Sequence, residues 1–435
     1  MTQFSRREVV AGLGGVGSLA ASHALGPAGL FEWTTSVETT VPDGIWQEID
    51  RDPRRSGYAP SGGPPTDATE QWSVEVDSAL RGNYYRPGIV VGEQHVYMLE
   101  TDALVAFDRE TGHRAWRFEP PAVGPPSNRE ADYDRSGFAG WRGWLAYRDE
   151  TVLVNGGSRG KGDTWPIKVL YAVDATDGSM NWAAPDRVGH AVLGESVLCA
   201  SASGESSRNC LVHKETGRSR SISLPQTGDM LACFGTDDAH VFSFGGPTNK
   251  GIETVRSSVF EEDLVVSQSM MFGTTITSDG IALLTNVPRL GFDVDGDPDL
   301  VAVDLADRTH WPIPVEGTPR TPTVYLTDDE QWYVLTEEGI EAHPVSEAAA
   351  RGPASNPTWQ TAVPPVVGRP IVTDEGVYLP TEAGITVLDP STGDKQGQFG
   401  PEYVENPPKW WQWAPAVVDG TLYCRFGDGN LHAYV

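Results

Sequence analysis

Residues 103–116 read ALVAFDRETGHRAW. Ala103 to Phe107 alternates as a strand does, and Asp108 to Gly112 supplies turn residues, with Gly112 free to take a positive φ. His113 to Phe118 then reads as a second strand, carrying the large aromatic Trp116. The figure returns at Tyr171–Trp182, YAVDATDGSMNW, where Asp174, Gly178 and Trp182 keep the spacing of Asp108, Gly112 and Trp116. A weaker copy, TVLDPSTGDKQGQF, holds Asp389 and Gly393 but has Gly397 in the place of the Trp. A strand–turn–strand unit that recurs in an all-β chain points to a periodic architecture.

From Pro87 onward one pattern repeats eight times: an apolar strand, a short Gly/Asp/Glu turn, and a second strand with a paired apolar end. The second strands begin their apolar pairs at Val96, Val152, Val197, Val241, Ala282, Tyr333, Val377 and Leu422, in steps of 56, 45, 44, 41, 51, 44 and 45 residues. Periods of ~40–50 residues with about four strands each are the signature of a β-propeller. No single blade buries both faces of its sheet, so neighbours must stack around an axis. The last copy, Ala414 to Val435, supplies three strands and lacks the outermost. Upstream, Glu70 to Asp77 (EQWSVEVD) is a strand with no partner beside it in sequence. Placed against the last copy, it completes that blade, removes a raw sheet edge and puts Trp72 where Trp116 and Trp182 sit in theirs. The expected fold is an all-β, eight-bladed propeller of four-stranded antiparallel blades over residues 70–435, closed by the N-terminal strand.

The unit Ala106, Asp108, Thr111, Gly112, Trp116 resembles the pyrroloquinoline-quinone-type propeller repeat, and Ala172, Asp174, Gly178, Trp182 match it with Asp177 replacing the Thr. The resemblance implies that the Trp packs between blades and that the Asp/Thr/Gly set shapes the turn between strands three and four. It is partial at Thr216-Gly217, Asp304–Trp311 and Asp389–Gly393, and faint elsewhere. The family holds quinone-dependent alcohol dehydrogenases, with cofactor and calcium over the axis, an Asp base and usually a disulfide of adjacent cysteines. It also holds cofactor-free propellers such as the outer-membrane assembly scaffold lipoprotein. Here the cysteines are Cys199, Cys210, Cys233 and Cys424, with no adjacent pair, and 435 residues leave little room for the dehydrogenases' long insertions. The fold transfers; the enzyme chemistry, and with it the quinone, does not. A non-catalytic scaffold or binding module is the first reading. A quinoprotein oxidoreductase and a carbohydrate-binding propeller are the alternatives.

Lys and Arg total 32 against 60 Asp and Glu, a net charge of -28. Such a surface repels phosphate backbones and anionic lipid, which argues against nucleic-acid binding. Acidity spread along the chain suits a halophile's solvated surface; a dedicated basic partner is the sharper alternative. Residues 1–30 read as a targeting segment: Arg6-Arg7 ahead of a weakly apolar run from Val9 to Leu25 resembles a twin-arginine export signal, either cleaved near Ala24 or kept as a membrane anchor. The expected location is therefore extracellular or at the cell surface. Residues 31–69 form a Pro/Gly/Asp/Thr-rich lead-in without periodicity. Cys199 and Cys210 fall on consecutive expected strands, and either pair in an exported protein or stay buried as thiols.

Three aromatic clusters enter innermost strands at one mouth of the expected channel: Tyr84, Tyr85 and Arg86; Trp141, Arg142 and Trp144; and Trp410, Trp411 and Trp413. With interleaved cations they suit a peptide, protein or sugar held by stacking and hydrogen bonds; the alternative is that they wedge the wide end of the ring. Gly156–Gly160 formally matches G-x-S-x-G but lacks a following helix, so it reads as a hairpin loop. The Gly12–Gly17 run matches G-x-G-x-x-G without a preceding strand and is rejected as a dinucleotide site. The nine histidines show no metal-ligand spacing.

Asp293, Asp295, Asp297 and Asp299 surround a Gly turn and could aim oxygens at one Ca²⁺, though Gly296 comes early and no closing Glu follows. A solvated acidic turn is the alternative. If calcium binds, a chelator lowers the melting temperature at low salt; an unchanged melting temperature leaves only the acidic turn.

Overall fold

The computed structural model describes residues 41–48, 51–52, 56–60, 62–76, 88–100, 102–121, 133–137, 144–160, 167–201, 209–221, 229–235, 239–245, 250–256, 262–266, 274–277, 280–285, 300–304, 309–313, 325–336, 338–345, 356–363, 370–402, 415–426 and 428–435. These residues form strands, turns and connections, with no helix among them.

The strands assemble into eight hydrogen-bonded sheets. Sheet 1 comprises Val90–Val91, His95–Leu99, Leu104–Asp108 and Arg114–Phe118. Sheet 2 comprises Tyr133–Gly137 and Leu145–Arg148, both paired to Thr151–Gly160, then Ile167–Asp174 and Met180–Pro185. Sheet 3 holds Arg187–Leu193, Ser196–Ser201, Asn209–His213 and Ser219–Ser221. Sheet 4 holds Asp229–Gly235, Ala239–Gly245, Lys250–Arg256 and Glu262–Val266. Sheet 5 runs through Thr274–Ile276, Ile281–Thr285, Leu300–Asp304 and Thr309–Ile313, and sheet 6 through Tyr325–Thr327, Gln331–Leu335, Ile340–Pro344 and Trp359–Thr361. Sheet 7 has Ile371–Thr373, Val377–Thr381, Gly384–Leu388 and Lys395–Phe399, with Tyr58–Ala59 added in parallel to its first strand. Sheet 8 has Ala416–Val418, Thr421–Arg425 and Asn430–Tyr434, and its fourth strand is Glu70–Glu75. Trp72 pairs with Ala433 in that sheet, as the lone upstream strand required.

Both faces of each well-described sheet are apolar, which is why second and third strands read as continuous hydrophobic runs. In sheet 1, Val96, Met98, Val105 and Phe107 pack with sheet 8, while Tyr97, Leu99, Leu104 and Ala106 pack with sheet 2. Further cores join sheets 2 and 3, 5 and 6, 6 and 7, and 7 and 8.

One joint recurs between sheets. A fourth-strand tryptophan lies over the glycine of the next sheet's turn, and its Nε1 donates to a carbonyl in that turn. Trp72 donates to Arg109 O at 2.9 Å, Trp116 to Ala175 O at 3.0 Å, Trp182 to Lys214 O at 2.7 Å and Trp359 to Pro390 O at 2.8 Å. Opposite the Trp stands an alanine, small enough to leave room for the indole: Ala433, Ala106, Ala172 and Ala342 face Trp72, Trp116, Trp182 and Trp359 in register. The turn itself is tied by its aspartate. Asp108 Oδ1 accepts from the Thr111 hydroxyl and from the Thr111 and Glu110 amides, and these bonds hold its carboxyl below the usual carboxylate range. Gly397, which lacks the indole, lies against the backbone of Thr66, so the lead-in fills that place.

Two local readings change. Gly156–Gly160 is the end of the long strand Thr151–Gly160, with Gly157 and Ser158 paired on both sides, and not a hairpin loop. The upstream strand ends at Glu75 and not Asp77.

Gly178 sits at φ 76°, and a methyl group there would come 2.7 Å from the Trp116 ring. Gly420 has φ 73° but open space around it. Gly178→Ala is expected to cost about 3 kcal/mol, from backbone strain plus overpacking, and Gly420→Ala only about 1 kcal/mol. Urea midpoints compare them; equal losses would show that the indole does not press on the turn.

Candidate functional site

Each first strand has an entry end, reached from the preceding sheet, and a hairpin end that turns into the second strand. The lead-in lies across the hairpin ends. Trp46 and Val91 exchange backbone hydrogen bonds at 2.8 and 2.9 Å, which binds the lead-in to the first strand of sheet 1. Gln47 O accepts from Tyr147 N and Glu48 bridges Ala146, in sheet 2. Ser56 O accepts from Thr327 N, in sheet 6, and Tyr58 and Ala59 pair with Val372 and Thr373, in sheet 7. The chain then runs outward: Pro64 O accepts from Tyr378 OH at 2.6 Å, Thr66 meets Gly397, and Thr69 exchanges hydrogen bonds with Val435 before entering sheet 8. Burial raises the Tyr378 phenol to about 12, so it stays a donor.

This crossing is sealed by buried polar pairs. Glu48 Oε1 lies 2.7 Å from Arg148 Nη2, with both side chains nearly out of solvent. Asp52 accepts from the amide and hydroxyl of Ser56, and Arg51 donates to Tyr58 O at 2.7 Å. Trp46 is 1% exposed. On the same face, cations follow the turn aspartate position and reach back to the preceding hairpin. Arg109 Nη2 meets Asp419 of sheet 8 at 2.9 Å, and its Nη1 donates to carbonyls of Gly44, Gly92 and Glu93. Burial alone lowers the Arg109 pKa, but its bonds to Tyr423 and Asp419 outweigh that and leave it raised. Lys214 repeats the device on Asp149 of sheet 2 and Glu195.

The opposite face, at the entry ends, is where the sequence reading sets the aromatic entries. Of the residues read there from sequence, Trp144 is described: it is buried between sheets 2 and 3 against Gly189 and Leu170, and its Nε1 has no partner among the described residues. Tyr84, Tyr85, Arg86, Trp141, Arg142, Trp410, Trp411 and Trp413 lie outside the described residues, as do Asp293, Asp295, Asp297 and Asp299. The described part of this face is charged. Glu100, 2% exposed, receives Arg114 at 3.0 Å and Arg117 at 3.3 Å. Beside it, burial lowers the Arg425 pKa against the pull of Asp428 and Glu100. His432 sets one ring nitrogen on Glu70 and the other on Asp428, at 2.7 and 3.0 Å, and so ties the N-terminal strand to the last hairpin.

With this arrangement in hand, solved structures give the comparison. The quinohemoprotein alcohol dehydrogenase of Pseudomonas putida HK5 matches with a TM-score of 0.57 at 13% identity, over 90% of this chain and 80% of that one. The fold is a β-propeller. A computationally designed protein, Ika8, matches at 0.54 and 12% identity, over 83% of this chain and 99% of the design. A europium-containing methanol dehydrogenase matches at 0.52 and 13% identity, over 87% of this chain and 89% of its own. No protein-family model matches the sequence, and no curated protein matches it at a significant level.

The adjacent cysteines usual beside the quinone in the dehydrogenases that the sequence resembles have no counterpart here. Cys199 and Cys210 face the core between sheets 2 and 3, and Cys424 is buried in sheet 8. Among the described residues no group of three or more His, Cys, Asp or Glu could hold a metal ion.

The lead-in was the least legible part of the site. It meets a different strand every few residues, so it has no period, and its only signals were Trp46 and isolated charges in a Pro/Gly-rich stretch. Glu48→Gln leaves the buried Arg148 guanidinium without its carboxylate and is expected to cost on the order of 3 kcal/mol in urea unfolding. A loss below about 0.5 kcal/mol, the range of ordinary surface substitutions, would mean that the crossing is not held by this pair.

Proposed function

We propose that the eight sheets are the blades of one closed ring and that the protein is an exported, non-catalytic scaffold or binding module working through a single mouth. The observation that carries this reading is the lead-in. One short segment hydrogen-bonds to the first strands of sheets 1, 2, 6 and 7, which is natural if those strands line a common channel. The packing of sheet 8 on sheet 1 and the shared sheet of residues 70–75 and 430–434 support the same closure.

The lead-in occupies the hairpin-end mouth, so the entry-end mouth is left for a partner. There the aromatic set Tyr84, Tyr85, Arg86, Trp141, Arg142, Trp410, Trp411 and Trp413 would offer stacking surfaces with interleaved cations to a protein, peptide or sugar. Export by the twin-arginine route, with the N-terminal segment kept as an anchor or removed, would place this mouth at the cell surface. The net charge of -28 sets nucleic acid aside as the partner. A quinoprotein oxidoreductase is the second reading, favoured by the fold shared with two dehydrogenases.

A photo-cross-linking residue at Trp410 or at Asp374 of the hairpin face separates these readings. In native high-salt membranes the Trp410 position is expected to give one discrete adduct and the Asp374 position none. Equal labelling at both would overturn the single-mouth reading. Dye-linked alcohol oxidation by the purified protein with added quinone and Ca²⁺ would overturn the non-catalytic one.

A further inference from the structure

We propose that Cys199 and Cys210 form a redox-active dithiol that closes reversibly into a cross-strand disulfide within sheet 3. The two residues are direct partners in the register of the second and third strands. They share a face, both contributing to the core between sheets 2 and 3, and both are free thiols. Lys214 N donates to Glu195 O one step beyond the strands, so by alternation the pairs 197/212 and 199/210 are the hydrogen-bonded ones. In such pairs the Cα atoms stand about 5.5 Å apart, within the ~4.4–6.8 Å that a disulfide spans. Cβ atoms on a ladder stand somewhat wider than in a relaxed disulfide, which suits a bond that a thiol can reopen.

The surroundings give the two sulfurs different roles. Cys199 Sγ donates to Val197 O at 3.5 Å and burial raises its pKa, while the neighbouring Cys199 thiol and the charge of Arg187 lower that of Cys210. Arg187 Nε is buried without a hydrogen-bond partner among the described residues, although the side chain as a whole is 23% exposed. Its Nη1 donates to Asp186 O at 2.8 Å and meets the Asp186 carboxylate at 3.5 Å, so the pull of its charge on the Cys210 thiolate works against that of Asp186. Cys210 is 2% exposed and Cys199 0%, which sets Cys210 as the attacking sulfur and Cys199 as the resolving one.

The oxidant is a low-molecular-weight disulfide. The Cys210 thiolate attacks one of its sulfurs, the S–S bond breaks, and one thiolate leaves. Cys199 then gives up its proton and attacks Cys210 Sγ, expelling the second thiolate and forming the Cys199–Cys210 bond. Two protein thiols are oxidised by two electrons; the reagent's disulfide is reduced to two thiols, which take up the two protons.

The test uses the full reduced chain and hydroxyethyl disulfide, followed by unfolding, alkylation with iodoacetamide and intact mass. Of the four cysteines, two are expected to lose their alkylation, and trypsin is expected to yield peptide 188–208 linked to peptide 209–214. Cys199→Ser is expected to stop at a mixed disulfide on Cys210, and Arg187→Gln to slow closure roughly tenfold. Four alkylated cysteines in the folded protein, where a urea-unfolded control loses them, would overturn the proposal. So would a link involving Cys233 or Cys424. An unchanged rate in Arg187→Gln would overturn the role given to that residue. The wild-type readout does not depend on whether either variant folds.

Discussion

An indole that caps the next sheet's turn is the joint on which the architecture depends. It combines three demands at one point: apolar area to bury, a hydrogen bond for the indole N–H, and a glycine that accepts both a left-handed backbone and close approach of the ring. None of the three is met within a single sheet. Trp116 needs the turn of sheet 2, Trp182 that of sheet 3, and Trp72 that of sheet 1. Each sheet is therefore incomplete until its neighbour is in place, and stability comes from the stack. The alanine opposite each indole belongs to the same device, since a larger side chain there would lift the ring off the glycine.

The lead-in solves a second problem. The first strands stand at the edges of their sheets and present backbone donors and acceptors there, where unsatisfied buried polar groups are costly. Residues 41–59 supply partners one strand at a time, and the ion pair of Glu48 and Arg148 sits in the same polar seam. Arg109 and Lys214 work from the rim, joining neighbouring hairpins by charge. One face of the molecule is thus committed to holding the stack together, and the described part of the other carries the charged groups around Glu100 and His432.

The repeat was legible in the sequence because it is built from local turn chemistry, Asp to Gly, and from an aromatic at a constant distance. The assignment of Trp72 to the last sheet followed from counting strands, since a blade with three strands and a strand without a blade have one economical solution. Gly397 could be seen to break the pattern, but not that Thr66 replaces the indole, because that contact joins residues more than 300 positions apart. Ser158 was read as a loop residue because glycines crowd around it, whereas pairing on both sides keeps the segment a strand. Trp144 shows why an aromatic next to a cation is ambiguous from sequence: a side chain that fills the gap beside Gly189 has the same local signature as one that faces a ligand. The remaining aromatic entries and the Asp293–Asp299 cluster lie outside the described residues.

Because residues 70–75 find their ladder only on residues 430–434, the order of synthesis works against the order of assembly. An early-made segment carrying Trp72 must wait, edge unpaired, until residues 430–434 have left the ribosome. The slow step is then a meeting of distant segments, with high contact order and an aggregation-prone interval before it. A cell making this protein has reason to shield that early strand with a chaperone until the two segments have met.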